Sequence, residues 1–201
     1  MRFKPREFIV EEITLGGETI KLNEPFQRGD SPAPNKWHAH FALQKTLWNT
    51  NDALRALARA VHAKPSRFSF AGSKDRNAVT TQMCSAFCVQ PKALLNARVK
   101  DLQVLGAWKE GEKVRLGDLK GNRFTITLTK ENCGADPNPE KIRLNASKKS
   151  YPNAFGSQRF GSVRKNTALV GEKLLKGDLE GAVKNFLCYA KGENNEEALQ
   201  A

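Results

Sequence analysis

The stretch from Trp37 to Val89 constrains the fold more than any other part of the chain. From Trp37 to Lys45, Ala39, Phe41 and Leu43 alternate with His38, His40, Ala42 and Gln44, a period of two that fits a strand with one buried face. Thr50 or Asn51 can then cap a helix. Its Ala53, Leu54, Leu57, Ala58 and Val61 share one face, with Arg55 and Arg59 outside, and Pro65 marks its end. Arg67 to Phe70 reads as a short strand, and Ala78 to Val89 as a further β run. Between them lies FAGSKDRNAVTTQ, residues 70–82, with a Gly, a Ser and three consecutive charges. Strand, helix, strand, charged loop, strand is the order of a sheet with a helix packed on it.

The flanking sequence extends that sheet. Phe8 to Ile13 is strand-like, with Phe8, Val10 and Glu12 on one side and Ile9, Glu11 and Ile13 on the other, and Gly16-Gly17 makes a turn. Leu102 to Leu105 and Lys113 to Leu116 read as strands, and Arg123 to Thr129 alternates cleanly, with Phe124, Ile126 and Leu128 on one face. Residues 133–139 turn to loop composition, and Asn166 to Leu175 and Leu179 to Ala190 carry helical patterns. The fold class expected is α/β in the α+β sense: a mixed, mainly antiparallel sheet with flanking helices over about residues 1–150, then a helical continuation. The element order does not suit a doubly wound nucleotide fold.

Composition bears on partners. The 201 residues carry 33 Lys and Arg against 21 Asp and Glu, a formal net charge of +12. That is the footprint of a polyanion binder, with solubility as the plainer explanation. No apolar run approaches bilayer length, and MRFKPREF is too charged for a signal peptide, so the chain is expected to stay in the cytoplasm, off the membrane. Cys84, Cys88, Cys133 and Cys188 are then expected as free thiols.

Three kinds of chemistry are conceivable for the charged loop and its neighbours. A Walker loop fails on spacing, because Gly72-Ser73-Lys74 lacks the preceding Gly at the required distance. A zinc site from His38, His40, Cys84 and Cys88 is conceivable, but strand-borne ligands lack the tight knuckle turns of structural zinc sites; no metal and no cofactor are expected. Asp75 lies between Lys74 and Arg76, whose charges favour its carboxylate well below neutral pH. Such a group can act as nucleophile or base on an anionic substrate, with the cations on phosphate; the same residues also suit a solvated turn.

The loop does not stand alone. Residues 70–82 resemble the Gly-x-Lys-Asp-Arg/Lys-x-Ala-Val-Thr-x-Gln signature of the TruD family of pseudouridine synthases. Pro5-Arg6-Glu7-Phe8-Ile9-Val10-Glu11-Glu12 resembles the family's Pro-Glu-Asp-Phe-x-Val-x-Glu opening, and Gly121-Asn122-Arg123-Phe124 its Gly-Asn-x-Phe motif. Residues 152–161, PNAFGSQRFG, resemble its Pro-Asn-Tyr-Phe-Gly-x-Gln-Arg-Phe-Gly signature. Ala154 replaces the family's Tyr, and Arg6 stands where an acid is common.

The resemblance implies a cofactor-free enzyme that isomerises a uridine of RNA, with tRNA the favoured substrate and no obligate protein partner. Asp75 would be the catalytic carboxylate. Asn122 and Phe124, two apart on a strand, would face the extruded base. Lys74, Arg76, Arg2, Gln158 and Arg159 would contact RNA, with Lys148, Lys149, Arg164 and Lys165 as a basic edge. Residues 1–161 would form the N-terminal part of the catalytic domain, and residues 162–201 a helical segment at the start of the domain that members insert. A non-catalytic RNA-binding module derived from the family is the alternative of a different class.

Overall fold

A computed structural model of the chain describes residues 3–32, 36–134, 138–140, 143 and 166–187. Contacts divide the chain into two units, Met1–Asn138 and Pro139–Ala201. The boundary expected at residue 161 lies outside the described residues.

The first unit is organised by strand β4 (Val79–Phe87), whose seven interior residues are all buried. One edge of β4 pairs along its whole length with β2 (His38–Thr46), antiparallel, from His38 opposite Phe87 to Thr46 opposite Val79. The other edge is shared. β1 (Phe8–Thr14) runs parallel to it at Val79 to Thr81, and β3 (Phe68–Phe70) antiparallel at Cys84 to Ala86. β5 (Leu102–Glu110) pairs with β2, and β6 (Leu119–Ile126) with β1, completing a sheet ordered β5-β2-β4-β1-β6 with β3 beside β4. The sheet is mixed and mainly antiparallel, as the sequence predicts.

Alternation places the core on both faces. On one, Ala39, Phe41 and Leu43 of β2 and Cys84 and Ala86 of β4 pack under Ala53, Leu54 and Leu57 of α1 (Thr50–Ala60). On the other, Ala42, Met83, Leu105 and Trp108 pack with Ile20, Ala71 and Val114. Each fully buried Leu or Phe among them contributes about 1.5–3 kcal/mol. The second face also brings Phe26 against the sheet, its N–H donating to the Leu105 carbonyl at 3.1 Å. There β5 carries one residue more than β2 at the bulge beside Ala42, and a Cβ on Gly106 would lie 1.9 Å from the Phe26 carbonyl oxygen. Only glycine fits that approach.

Several elements differ from expectation. α1 is capped by Asn49, whose side chain accepts from the Asp52 N–H, rather than by Thr50 or Asn51. A short helix, α2 (Pro91–Asn96), was not anticipated. Lys113 to Leu116 is no strand: Val114 turns into the core with its N–H on Ser85 Oγ at 2.9 Å, while Leu116 is exposed. Two apolar residues are too few to separate a strand from a loop anchored at one point. β6 accordingly begins at Leu119, four residues before the clean alternation, and is followed by a single helical turn, α3 (Lys130–Cys133).

In the second unit, α4 (Thr167–Leu175) and α5 (Leu179–Leu187) form a helix pair. Gly177, at φ 73°, closes the turn, and Asp178 caps α5 by accepting from the Gly181 N–H at 2.8 Å. Among the described residues no helix is long and apolar enough to cross a membrane.

Candidate active site

The charged loop is built from the sheet upward. β1 leaves β4 after Thr81 and β3 joins it at Cys84, so the β4 edge has a gap at Met83. Two groups close it. The Met83 N–H donates to Glu12 Oε1 at 2.8 Å, and the Met83 carbonyl accepts from the Ala71 N–H at 3.3 Å. The other Glu12 oxygen pairs with the Lys74 ammonium at 2.5 Å, with side-chain exposures of 0% and 3%. Burial pushes the Glu12 carboxyl up from the usual carboxylate range, and the Lys74 ammonium and the Met83 N–H pull it part of the way back.

A second buried lysine holds the loop from β2. Lys45 is fully buried, and its ammonium donates to the backbone carbonyls of Trp48 at 2.6 Å, Lys74 at 3.3 Å and Asp75 at 2.8 Å. Desolvation lowers its pKa from 10.5 to about 8. Thr50, the first residue of α1, completes the clamp: its hydroxyl accepts from the Lys74 N–H at 3.0 Å and donates to Gln82 Oε1 at 3.0 Å. Every contact fixes backbone or the Lys74 stem, which leaves the Asp75 and Arg76 side chains exposed.

Pairing register shows what that loop lies over. Asn122 sits opposite Glu12, and Phe124 opposite Val10, so both share the sheet face of Glu12. The intervening Arg123 points the other way and holds Glu11 through Nε at 2.8 Å and Nη2 at 2.5 Å. Lys45, opposite Thr80, faces the same side as Glu12. The Asp75 loop, anchored by Lys45 and Glu12, therefore rides the face that carries Asn122 and Phe124. Phe124 is 54% exposed and touches Phe8, ring centroids 6.0 Å apart; Ile126 and Leu128 beside it are exposed too, so this row is no core.

Lys74 departs from the sequence expectation. A phosphate contact needs a free ammonium at the surface, and this one is buried against Glu12, so Lys74 shapes the loop instead. Beside it, the space that Gly72 leaves is taken by the Lys74 ammonium, 3.4 Å from where a Cβ would stand. Arg76 lines an open cleft with Trp48, Asn49 and residues of α1. Arg2, Gln158, Arg159, Lys148, Lys149, Arg164 and Lys165 lie outside the described residues. His38 and His40 face the side of the sheet opposite Cys84, since His40 pairs with Ser85 and Cys84 with Phe41, so these residues cannot share an ion. Burial pushes the Cys84 thiol up, away from a ligating thiolate.

Sequence reasoning passed over Lys45 and Glu12. The signal was present: Lys45 continues the buried series Ala39, Phe41, Leu43, and Glu12 the series Phe8, Val10.

The model of the family tRNA pseudouridine synthase D (TruD) matches residues 1–201. The chain belongs to the TruD family. It is similar to a Methanococcus maripaludis protein named "Probable tRNA pseudouridine synthase D", at 39% identity over 89% of this chain and 45% of that protein. A Methanocaldococcus jannaschii protein named "Probable tRNA pseudouridine synthase D 1" is 36% identical over 89% of this chain and 45% of its own length. A crystal structure of a Methanosarcina mazei protein named "Putative tRNA pseudouridine synthase D (TruD)" superposes with a TM-score of 0.69 at 32% identity, covering 99% of this chain and 43% of that one. The chain spans about half the length of the curated TruD relatives it matches.

Proposed function

We propose that the chain carries the catalytic aspartate of an RNA pseudouridine synthase acting on a uridine of tRNA. The observation that carries this reading is the placement of the Asp75 loop, clamped by Lys45, Glu12 and Thr50, over the sheet face that bears Asn122 and Phe124. A clamped backbone below an exposed carboxylate suits a group that must meet a large substrate in one orientation.

In this reading the target nucleotide leaves its stack at a cost of a few kcal/mol, offset by stacking on Phe124. Asn122 hydrogen-bonds the extruded base or sugar. The Asp75 carboxylate either attacks the anomeric carbon or removes a sugar proton, and the bond from C1′ to N1 breaks. The uracil turns within the site and C5 bonds to C1′, displacing the Asp75 carboxylate in the first route, while in the second the sugar carbon takes its proton back from Asp75; the C5 proton is then lost and N1 regains one. No redox step and no cofactor is needed. Arg76 contacts phosphate, and Arg2, Gln158 and Arg159 supply further RNA contacts.

The test incubates the chain with uridine-containing tRNA and maps pseudouridine by carbodiimide modification and primer extension. Product from the parent and none from Asp75→Asn supports the enzyme. Equal RNA binding by both without product supports a non-catalytic RNA-binding module.

A further inference from the structure

Beside the Asp75 loop, Leu47, Trp48, Asn49, Asp52, Arg55, Arg59 and Arg76 line an open cleft of about 420 Å³. Its charge is one-sided, three guanidinium groups against one carboxylate. That carboxylate is already engaged, accepting from the N-capping Asn49 side chain and pairing with Arg55 at 3.1 Å. Neither Arg59 nor Arg76 has an acidic partner among the described residues. Like charges gathered with so little compensation repel one another, a cost that an anion in the cleft would relieve.

The geometry suits a strand more than a small anion. Arg55 and Arg59 are one turn apart on α1, about 6 Å along its axis. Arg76, the residue next to Asp75, comes to the same cleft from the loop rather than from the helix. Three guanidinium groups spread along a groove address successive phosphates, each through paired N–H donors. Trp48, half-buried, lines the cleft with them and is fixed there by its indole N–H, which donates to the Lys100 carbonyl at 3.1 Å.

We infer that this cleft binds the phosphate backbone of the RNA segment flanking the nucleotide presented to Asp75, with Arg55 and Arg59 as contacts beyond Arg76. The inference rests on the RNA reading of the Asp75 site, but concerns binding rather than chemistry. It assigns to α1 a second role: its apolar face packs on the sheet while its basic face tracks the substrate.

The experiment measures fluorescence anisotropy of labelled tRNA against KCl concentration for the parent, for Arg55→Ser with Arg59→Ser, and for Lys92→Ser with Lys113→Ser. The second pair removes the same charge from exposed positions outside the cleft. Losing two phosphate contacts reduces the slope of log K against log salt by about 1.4–1.8, at about 0.7–0.9 per contact. That reduction is expected for the arginine pair and not for the lysine pair, with a cooperative thermal unfolding transition by circular dichroism retained in both. Equal slopes for parent and arginine variant overturn the inference. So do equal losses in the two double variants, and so does displacement of the RNA by polyglutamate as readily as by unlabelled tRNA. Failure of the functional reading looks different: no pseudouridine from the parent, with the arginine-dependent slope intact.

Discussion

The ammonium of Lys45, on β2, donates to the backbone carbonyl of Asp75 at 2.8 Å, so the proposed catalytic residue is held by its main chain from the sheet face that the loop rides. Lys45 is fully buried and its other partners are carbonyls, which explains a pKa lowered by desolvation to about 8. Below that pH it is protonated in the folded and unfolded chain alike, and its contribution to stability does not change. Between about 8 and its ordinary 10.5 the unfolded chain binds the proton more strongly, so stability rises with pH. Lys45→Met removes this rise, and urea melts from pH 7 to 10.5 on parent and variant should diverge upward for the parent. In the same variant, pseudouridine formation at saturating tRNA should fall about tenfold or more, as Asp75 loses its anchor.

The Glu12 and Lys74 pair makes a second prediction. Breaking a buried pair leaves one charge without compensation, at about 3–5 kcal/mol. Lys74→Met should therefore lower unfolding stability by that amount. Adding Glu12→Gln should return at least half of the loss, because Gln carries no charge yet keeps an oxygen for the Met83 N–H. Equal stability of the single and double variants in urea titrations would sink the account.

These two clamps also mark where the sequence stopped being legible. β2, α1 and β4 were readable because apolar residues at periods of two and 3.6 leave a pattern that survives without knowing the partner. Lys45 and Glu12 sit in phase with that pattern, but a charged residue at a buried position makes sense only once its partner is known. The partners lie 30 and 62 residues away, in a loop whose own pattern says turn. Lys74 departs from expectation for the same reason: its place next to Asp75 in sequence assigns its charge to the substrate site, while its side chain turns inward to pair with the buried Glu12. Asn122 and Phe124 were readable as a same-face pair from their spacing alone. That the pair would be exposed depended on β6 lying at the sheet edge, which no local pattern states.

Glycine positions offer a test of packing alone. Gly106→Ala places a methyl group against the Phe26 carbonyl and should cost about 1–3 kcal/mol, the range for overpacking. Gly121→Ala, on β6, meets nothing within 4 Å and should stay within about 0.5 kcal/mol of the parent. Chemical denaturation of the two variants side by side checks both.

Phe124 separates stability from function. A ring that is 54% exposed and, among the described residues, has the Phe8 ring as its one aromatic contact buries little apolar area, so Phe124→Ala should cost less than about 1 kcal/mol of stability. Trp108→Ala, at 1% exposure in the core of the opposite face, should cost about 3–5 kcal/mol. If Phe124 stacks on an extruded base, its removal takes away about 1–3 kcal/mol, roughly 5- to 150-fold in pseudouridine formation per unit of tRNA. Phe124→Tyr keeps the ring face and should keep most of the activity, whereas Phe124→Leu keeps apolar bulk and should not. An active Phe124→Leu variant would mean that the ring serves only to cover β1, and that the base is held elsewhere.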